Sequence, residues 1–304
     1  MDLRQFEYIV TIADEGSISK AASKLYLAQP SLSQYLNSFE KELGGQLFIR
    51  TAKGVRPTPS GKIFLEHARK ILNQYRKAQS EFWDAEEIAG GEIAFGISTY
   101  RGTYLLPNVL KQFKDLYPQV HVIITERDSR ILEDLLLEGK LDLAVIASPS
   151  AKIKDNVECL LQDEIMIVAS DSHPVMGKVH RNDNNTMWVN LKDTEQFEYV
   201  LGPPDTIQGK TLREAFAAEM MRPIVYNSSI TSSLAVGMAR TGSCLAVTYR
   251  SCIERKKGTN YLRIGKEGIF VDVSLAYAKD EYKSKATKEL SHLMLKYFKM
   301  ELEQ

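Results

Sequence analysis

The chain has 304 residues, and at roughly 150 residues per domain that length holds two domains with cores of their own. Hydrophobic residues make up 44% and charged residues 26%, as in an ordinary globular protein. The balance of 39 Lys plus Arg against 39 Asp plus Glu excludes a generic polyanion binder, so any nucleic-acid contact has to come from local placement of charge. No apolar stretch approaches the roughly 18 residues of a membrane span, and no membrane partner is expected. The start MDLRQFEYIV lacks the basic, apolar and small-residue order of a signal peptide, which points to cytoplasmic residence. Cys159, Cys244 and Cys252 are too widely spaced for a disulfide framework or a metal knuckle and read as reduced thiols.

In chain order, Leu3, Phe6, Val10 and Ala13 recur at helical spacing and give a first buried face. After Gly16, Ser17 can cap a second helix with Ile18, Ala21, Ala22 and Leu25 inside. Pro30 suits the first turn of a third, whose apolar positions are Leu32, Leu36, Phe39 and Leu43 before the Gly44-Gly45 stop. The short connection Tyr26 to Gln29 between the last two has the spacing of a helix-turn-helix, whose second helix enters the DNA major groove. Opposite its leucines that helix shows Ser31, Ser33, Gln34, Asn37 and Ser38, groups able to hydrogen-bond base edges or phosphates, with Tyr35 available for stacking. LFIRTAKGVRPTPSG alternates around Lys53-Gly54 as a hairpin carrying Arg50, Lys53 and Arg56, a basic wing for phosphates.

From the cap Thr58 and first-turn Pro59 a long helix is predicted to about Glu87, with Phe64, Ala68, Ile71, Tyr75, Ala78, Phe82, Ala85 and Ala89 in strict heptad alternation. Such a seam predicts pairing with a second copy of the same helix. Beyond Gly91, strands (GEIAFGIS, QVHVIITE, LDLAVIAS) alternate with helices (around LLPNVLKQFKDLY and ILEDLLLEGK), an α/β pattern. DEIMIVAS, FEYVLG, RPIVYN and SCLAVTY supply a second set of strands, with helices over 211–220 and 230–239. IFVDVSLAYA and a helix from Ser284 to about Lys299 return to the first set.

The run SISKAASKLYLAQPSLSQYLNSFEKELGGQLFIRTAKGVRPTPSG resembles the winged helix-turn-helix of LysR-type transcriptional regulators. YLLPNVLKQFKDLYPQVHVIITE, LEGKLDLAVIA and the stretch from Ile230 to Thr248 resemble the same family's effector-binding part. The resemblance implies a winged helix over 1–60, a dimerisation helix over 61–89 and a two-lobed, periplasmic-binding-protein-like α/β effector domain over 92–304. Lobe I would be 92–161 with 268–304, and lobe II 162–267. It implies a dimer or tetramer on an operator, with a small anionic metabolite between the lobes, RNA polymerase as a further partner and no cofactor. The expected DNA-binding set is Lys20, Gln29, Pro30, Ser31, Ser33, Gln34, Asn37, Arg50, Lys53 and Arg56, and the dimerisation set Phe64, Ala68, Ile71, Tyr75, Ala78 and Phe82. In this family basic residues commonly stand where this chain has Gln34, Asn37 and Ser38. Residues 1–62 carry only eight Lys plus Arg against six Asp plus Glu, which shifts contact toward the wing, Lys20, Lys24 and neutral donors.

Three polar helix starts are candidates for the effector site. Ser98, Thr99, Tyr100, Arg101 and Thr103 follow a strand, where backbone donors and the helix dipole favour an anion. Thr206, Gln208 and Lys210 precede the second-lobe helix at 211, and Asn227, Ser228, Ser229 and Thr231 precede the next. Ser148 and Thr248 complete the expected set. Enzymatic readings are weak: Ser17-x-x-Lys20 lies in the helix-turn-helix, GxSxG, GxGxxG and GxxxxGK[ST] are absent, and the five histidines lack metal spacing. The competing reading is a solute-binding or sensor protein without a DNA role.

Overall fold

The computed structural model describes residues 2–52, 54–86, 90–148, 152–228, 230–279 and 283–302. The chain divides into two units, residues 1–88 with 137–140 and residues 89–136 with 141–304. In the first, α1 (Leu3–Glu15), α2 (Ile18–Lys24) and α3 (Gln29–Leu43) precede a hairpin of β1 (Phe48–Thr51) and β2 (Gly54–Pro57), followed by α4 (Pro59–Ala85). Each boundary has a local cause. Asp2 and Gln5 form a capping box on α1, which Gly16 ends at φ 57°; Ser17 caps α2; Pro30 occupies the first turn of α3, and Gly44 ends it at φ 70°. Ile9, Ile12, Ala21, Leu32, Leu36, Phe39, Leu47, Val55 and Leu65 form the core.

Two glycines let backbones meet there. A Cβ on Gly54 (φ 124°) would overlap the Gly16 carbonyl oxygen, which accepts from the Val55 amide at 2.8 Å, and one on Gly61 would overlap the Leu47 carbonyl oxygen. The wing is thereby held to the end of α1, and the start of α4 to the entry of β1.

The heptad seam expected on α4 is divided. Phe64 stacks on Phe6 (6.0 Å between centroids) and meets Phe39 edge-on, and Ala68 is 1% exposed beside Phe6 and Leu72. The dimerisation set is therefore corrected: its first two members face α1 and α3 of their own chain. Ile71, Tyr75, Ala78 and Phe82, one to several turns farther on, are exposed. Ala89 lies outside the described residues.

The second unit contains β3 (Gly91–Ile97), α5 (Thr99–Leu116), β4 (Val120–Glu126), α6 (Ser129–Leu137), β5 (Leu143–Ser148) and the long β6 (Val157–Ser170). β7 (His180–Arg181), β8 (Met187–Val189), β9 (Glu198–Val200), α7 (Ile207–Ala218), β10 (Ile224–Asn227), α8 (Ser232–Ala239), β11 (Leu245–Tyr249) and β12 (Thr259–Ile264) follow. β13 (Ile269–Tyr277) and α9 (Lys285–Leu302) close the chain. The strands form one mixed sheet in the order β10-β9-β11-β6-β13-β5-β3-β4, with β12, β8 and β7 branching from β6.

Strand directions create two lobes on this sheet. The first half of β6 pairs antiparallel with β13, down to Ile165 opposite Ile269, while its second half pairs antiparallel with β11, starting from Ile165 opposite Tyr249. β3 and β5 run with β6 toward the second lobe; β11, β9 and β10 run against it, toward the first. The carboxyl ends of both sets of strands therefore face each other across the middle of β6, the position where open α/β sheets bind ligands. Phe95, Ile97, Leu105, Phe113, Leu275 and Phe298 fill the first lobe, and Ile167, Tyr199, Leu212, Phe216, Val247 and Leu262 the second.

Several boundaries differ from the sequence reading. β6 starts at Val157, well before the expected Asp163, because its first half (VECLLQ) is held by β13, over a hundred residues away in the chain. β7, β8 and β12 were not expected. α7 starts at Ile207, four residues before Thr211, because Thr206 caps it through the Gly209 amide.

Candidate nucleic-acid interface and interlobe cleft

In the first unit, Gln29, Pro30, Ser31, Gln34 and Asn37 all lie exposed along α3, with Lys20 exposed on α2 and Arg56 on β2. Lys53 lies outside the described residues. Arg50 is not at the wing tip: from β1 its Nη2 donates to Ser33 Oγ at 3.1 Å, which lays a guanidinium across the uncharged first half of α3. Asn37, Glu40, Gln46 and Arg50 line a cavity of about 480 Å³ between helix and wing. Glu40 points its carboxylate at the hairpin, accepting from the Leu47 and Phe48 amides at 2.7 and 3.0 Å, so it fixes the wing against the helix and does not face outward. Tyr35 corrects another expectation. Its ring packs edge-on against Tyr8 at 5.1 Å and burial raises its pKa; it supports α1 and does not stack on a ligand.

In the second unit, helix starts gather where the two sets of strand ends converge. Ser98 follows β3 and caps α5 without a side-chain bond, and Thr99 is exposed at the first helical position. Thr103 bonds its own helix, its Oγ1 donating to the Thr99 carbonyl at 2.9 Å. Ser148 ends β5 opposite Asp272. On the other side, Thr206 caps α7 and Thr231 caps α8. Gln208, 5% exposed, accepts from Ser232 Oγ at 3.4 Å, and its Nε2 has no hydrogen-bond partner. A buried amide donor left unmatched costs about 1–3 kcal/mol, a deficit that an oxygen acceptor on a ligand would remove. Lys210 is exposed, Ser228 half-buried beyond β10, and Ser229 lies outside the described residues.

Besides Thr103, three expected effector contacts are instead used within the protein. Arg101 is 4% exposed, its Nε and Nη2 donate to Asp163 at 3.4 and 3.3 Å, and its guanidinium lies 3.8 Å from the centre of the Tyr249 ring. Burial alone would lower its pKa, but Tyr249 and Asp163 outweigh that, and the group is held charged. Asp163 also accepts from the Ser251 amide and hydroxyl at 3.0 and 2.6 Å. Arg101 is therefore not the cation of an anion site. Arg101 lies in the first turn of α5, with its side chain directed inward. Tyr100 and Thr248, the latter wholly buried, bond each other through their hydroxyls at 2.5 Å. Asp163, Ser251 and Tyr249 escaped the sequence reading; the only sign of Asp163 was an acidic residue opening an apolar strand.

The chain matches two family models: bacterial regulatory helix-turn-helix protein, lysR family, over residues 3–62, and LysR substrate binding domain over residues 87–299. It belongs to the LysR family. It is 32% identical over 250 residues to the nitrogen assimilation regulatory protein nac of Klebsiella aerogenes, covering 79% of this chain and 77% of that one. With the protein of the same name from Escherichia coli (strain K12) it shares 34% identity over 176 residues, and the match spans only 57% of either chain. The fold is that of full-length OxyR from Pseudomonas aeruginosa, with a TM-score of 0.69 at 22% identity over 99% of this chain and 98% of that one.

Proposed function

We propose that this protein is a LysR-type transcriptional regulator that binds operator DNA as an oligomer and adjusts that binding to a small anionic metabolite. Residues 1–60 read the DNA, with Gln29, Pro30, Ser31, Ser33, Gln34 and Asn37 toward base edges and Lys20, Arg50, Lys53 and Arg56 toward phosphates. Residues 61–89 pair protomers through Ile71, Tyr75, Ala78 and Phe82. Residues 92–161 with 268–304, and 162–267, form lobes that close on the effector. Membership of a family of helix-turn-helix regulators supports the DNA role. RNA polymerase is the further partner in this reading.

The observation that carries the effector site is the unmatched Nε2 of Gln208, buried beside the capped starts of α7 and α8. It calls for an oxygen acceptor, and helix N-termini favour a negatively charged one. With Arg101 engaged by Asp163, this charge is met by backbone and amide donors. The test has two arms. Full-length protein is used to select from a random duplex library, with enrichment of a two-fold-related sequence expected; an unenriched pool would remove the DNA reading. Metabolites are then screened by thermal shift. A ligand at 100 times its Kd stabilises by about 2.7 kcal/mol, and Gln208→Met should abolish that shift for a carboxylate hit. A cationic hit, or one indifferent to Gln208→Met, would remove this site.

A further inference from the structure

The first turn of α5 belongs by sequence to the first lobe, yet its side chains are inserted into the second. Tyr100 packs against both hydrophobic clusters of the second lobe, its ring edge-on to Tyr104 at 5.3 Å, and its hydroxyl meets Thr248 Oγ1 at 2.5 Å. Thr248 is 0% exposed on β11, opposite Met166 of β6, one position past the crossing from lobe to lobe at Ile165. Next to it, Arg101 reaches Asp163 on the same stretch of β6, and Asp163 also holds Ser251, just beyond β11. The two contacts differ in kind. The Arg101–Asp163 pair spans a point where β6 already joins the lobes covalently, so it persists if they part. The Tyr100–Thr248 bond instead joins the first turn of α5 to β11, one position beyond that point; no covalent link joins β3 directly to β11, and the bond must break if their carboxyl ends separate.

We infer that Tyr100 is a positioning residue of the cleft: its hydroxyl, bonded to Thr248, holds the first turn of α5 against the second lobe and sets how readily the lobes part. The inference rests on the effector-cleft reading for the purpose of that movement, but the bond and its effect on opening stand apart from any ligand. This part-buried hydroxyl pair keeps its bond only while the lobes are closed. On opening each partner gains water, so one net hydrogen bond, worth several-fold in an equilibrium, favours the closed form.

The test is amide hydrogen exchange on the full-length protein with no ligand added. Tyr100→Phe keeps the ring and its packing while removing the hydroxyl, and Thr248→Val keeps the volume. Each should speed exchange of the amides at 99–104 and 248–252 on the order of five- to tenfold, leaving those of β5 and β13 unchanged; the double variant should go no further than either single one. Thr248→Ser, which keeps the hydroxyl, should retain the slow rates. Unchanged exchange in both single variants would overturn the inference, as would equal acceleration throughout the second unit, the sign of general destabilisation. Thr248→Ser behaving like Thr248→Val would also overturn it, because the methyl and not the hydroxyl would then matter. If no metabolite shifts the wild-type protein while Tyr100→Phe opens these two segments, the effector reading fails and the positioning role of Tyr100 survives.

Discussion

Arg101 and Asp163 are 4% and 1% exposed, and loss of either leaves the other as an unpaired charge inside the second unit. Asp163→Ala and Arg101→Ala should each cost about 3–5 kcal/mol of stability in urea unfolding, far more than a contact reserved for a ligand would. A change under 1 kcal/mol would show the pair to be dispensable. His173 gives a pH dependence. Its Nδ1 accepts from the Val175 amide at 3.1 Å, and burial lowers its pKa from 6.5. The folded state keeps the imidazole neutral while the unfolded chain binds a proton below about pH 6.5. The stability due to this group is complete above that pH and declines as the pH falls toward the folded pKa. His173→Asn, which keeps an acceptor for the same amide, should flatten the fall in Tm between pH 7 and 5; an unchanged slope would assign the fall to other groups. Arg101 also shows why part of the cleft was hidden in the sequence. Its partner lies 62 positions away, on a strand whose place beside α5 no local pattern announces.

At the scale of elements, α3 and the wing should fail differently when altered. Gln34→Ala removes a group that the proposed function turns toward base edges and should change preference among operator variants, whereas Arg56→Ala should weaken binding to all of them and lower the salt slope by about one. Arg50→Ala should do both, since its guanidinium lies on Ser33 of α3. Equal loss on every sequence from all three variants would contradict that division. On α4, Ala68→Glu places a carboxylate in the core of its own chain and should unfold the first unit. Ile71→Glu, at 44% exposure, should leave that unit folded while lowering the mass seen by light scattering and weakening operator binding together. Elements with a strong local signature were legible in the sequence: the capped helices of the first unit, the wing around Gly54, and the apolar strands β3, β5 and β11. What escaped depended on distant partners. The heptad alternation of α4 is real, but periodicity does not say which neighbour covers a face, and the neighbours of Phe64 and Ala68 are α1 and α3. β12 and the first half of β6 carry no clean local strand signature and become strands because other strands hold them.

For the whole molecule, the proposed function joins two activities in one chain: reading of an operator by the first unit, and closure of a cleft that an effector biases. Joining them has a thermodynamic consequence, because an effector that changes operator affinity by some factor must have its own affinity changed by the same factor when the operator is bound. An effector that binds both arrangements equally shifts nothing, however tightly it binds. The most direct measurement is operator affinity of the full-length protein, titrated by fluorescence anisotropy at increasing concentrations of a metabolite obtained from the thermal-shift screen, at fixed salt. The account predicts a saturable change of about 5- to 150-fold, the range of a coupling of 1–3 kcal/mol, that disappears in Gln208→Met while effector-free operator affinity stays as in the wild type. An operator affinity that does not move at saturating metabolite, or that moves equally in Gln208→Met, would contradict it.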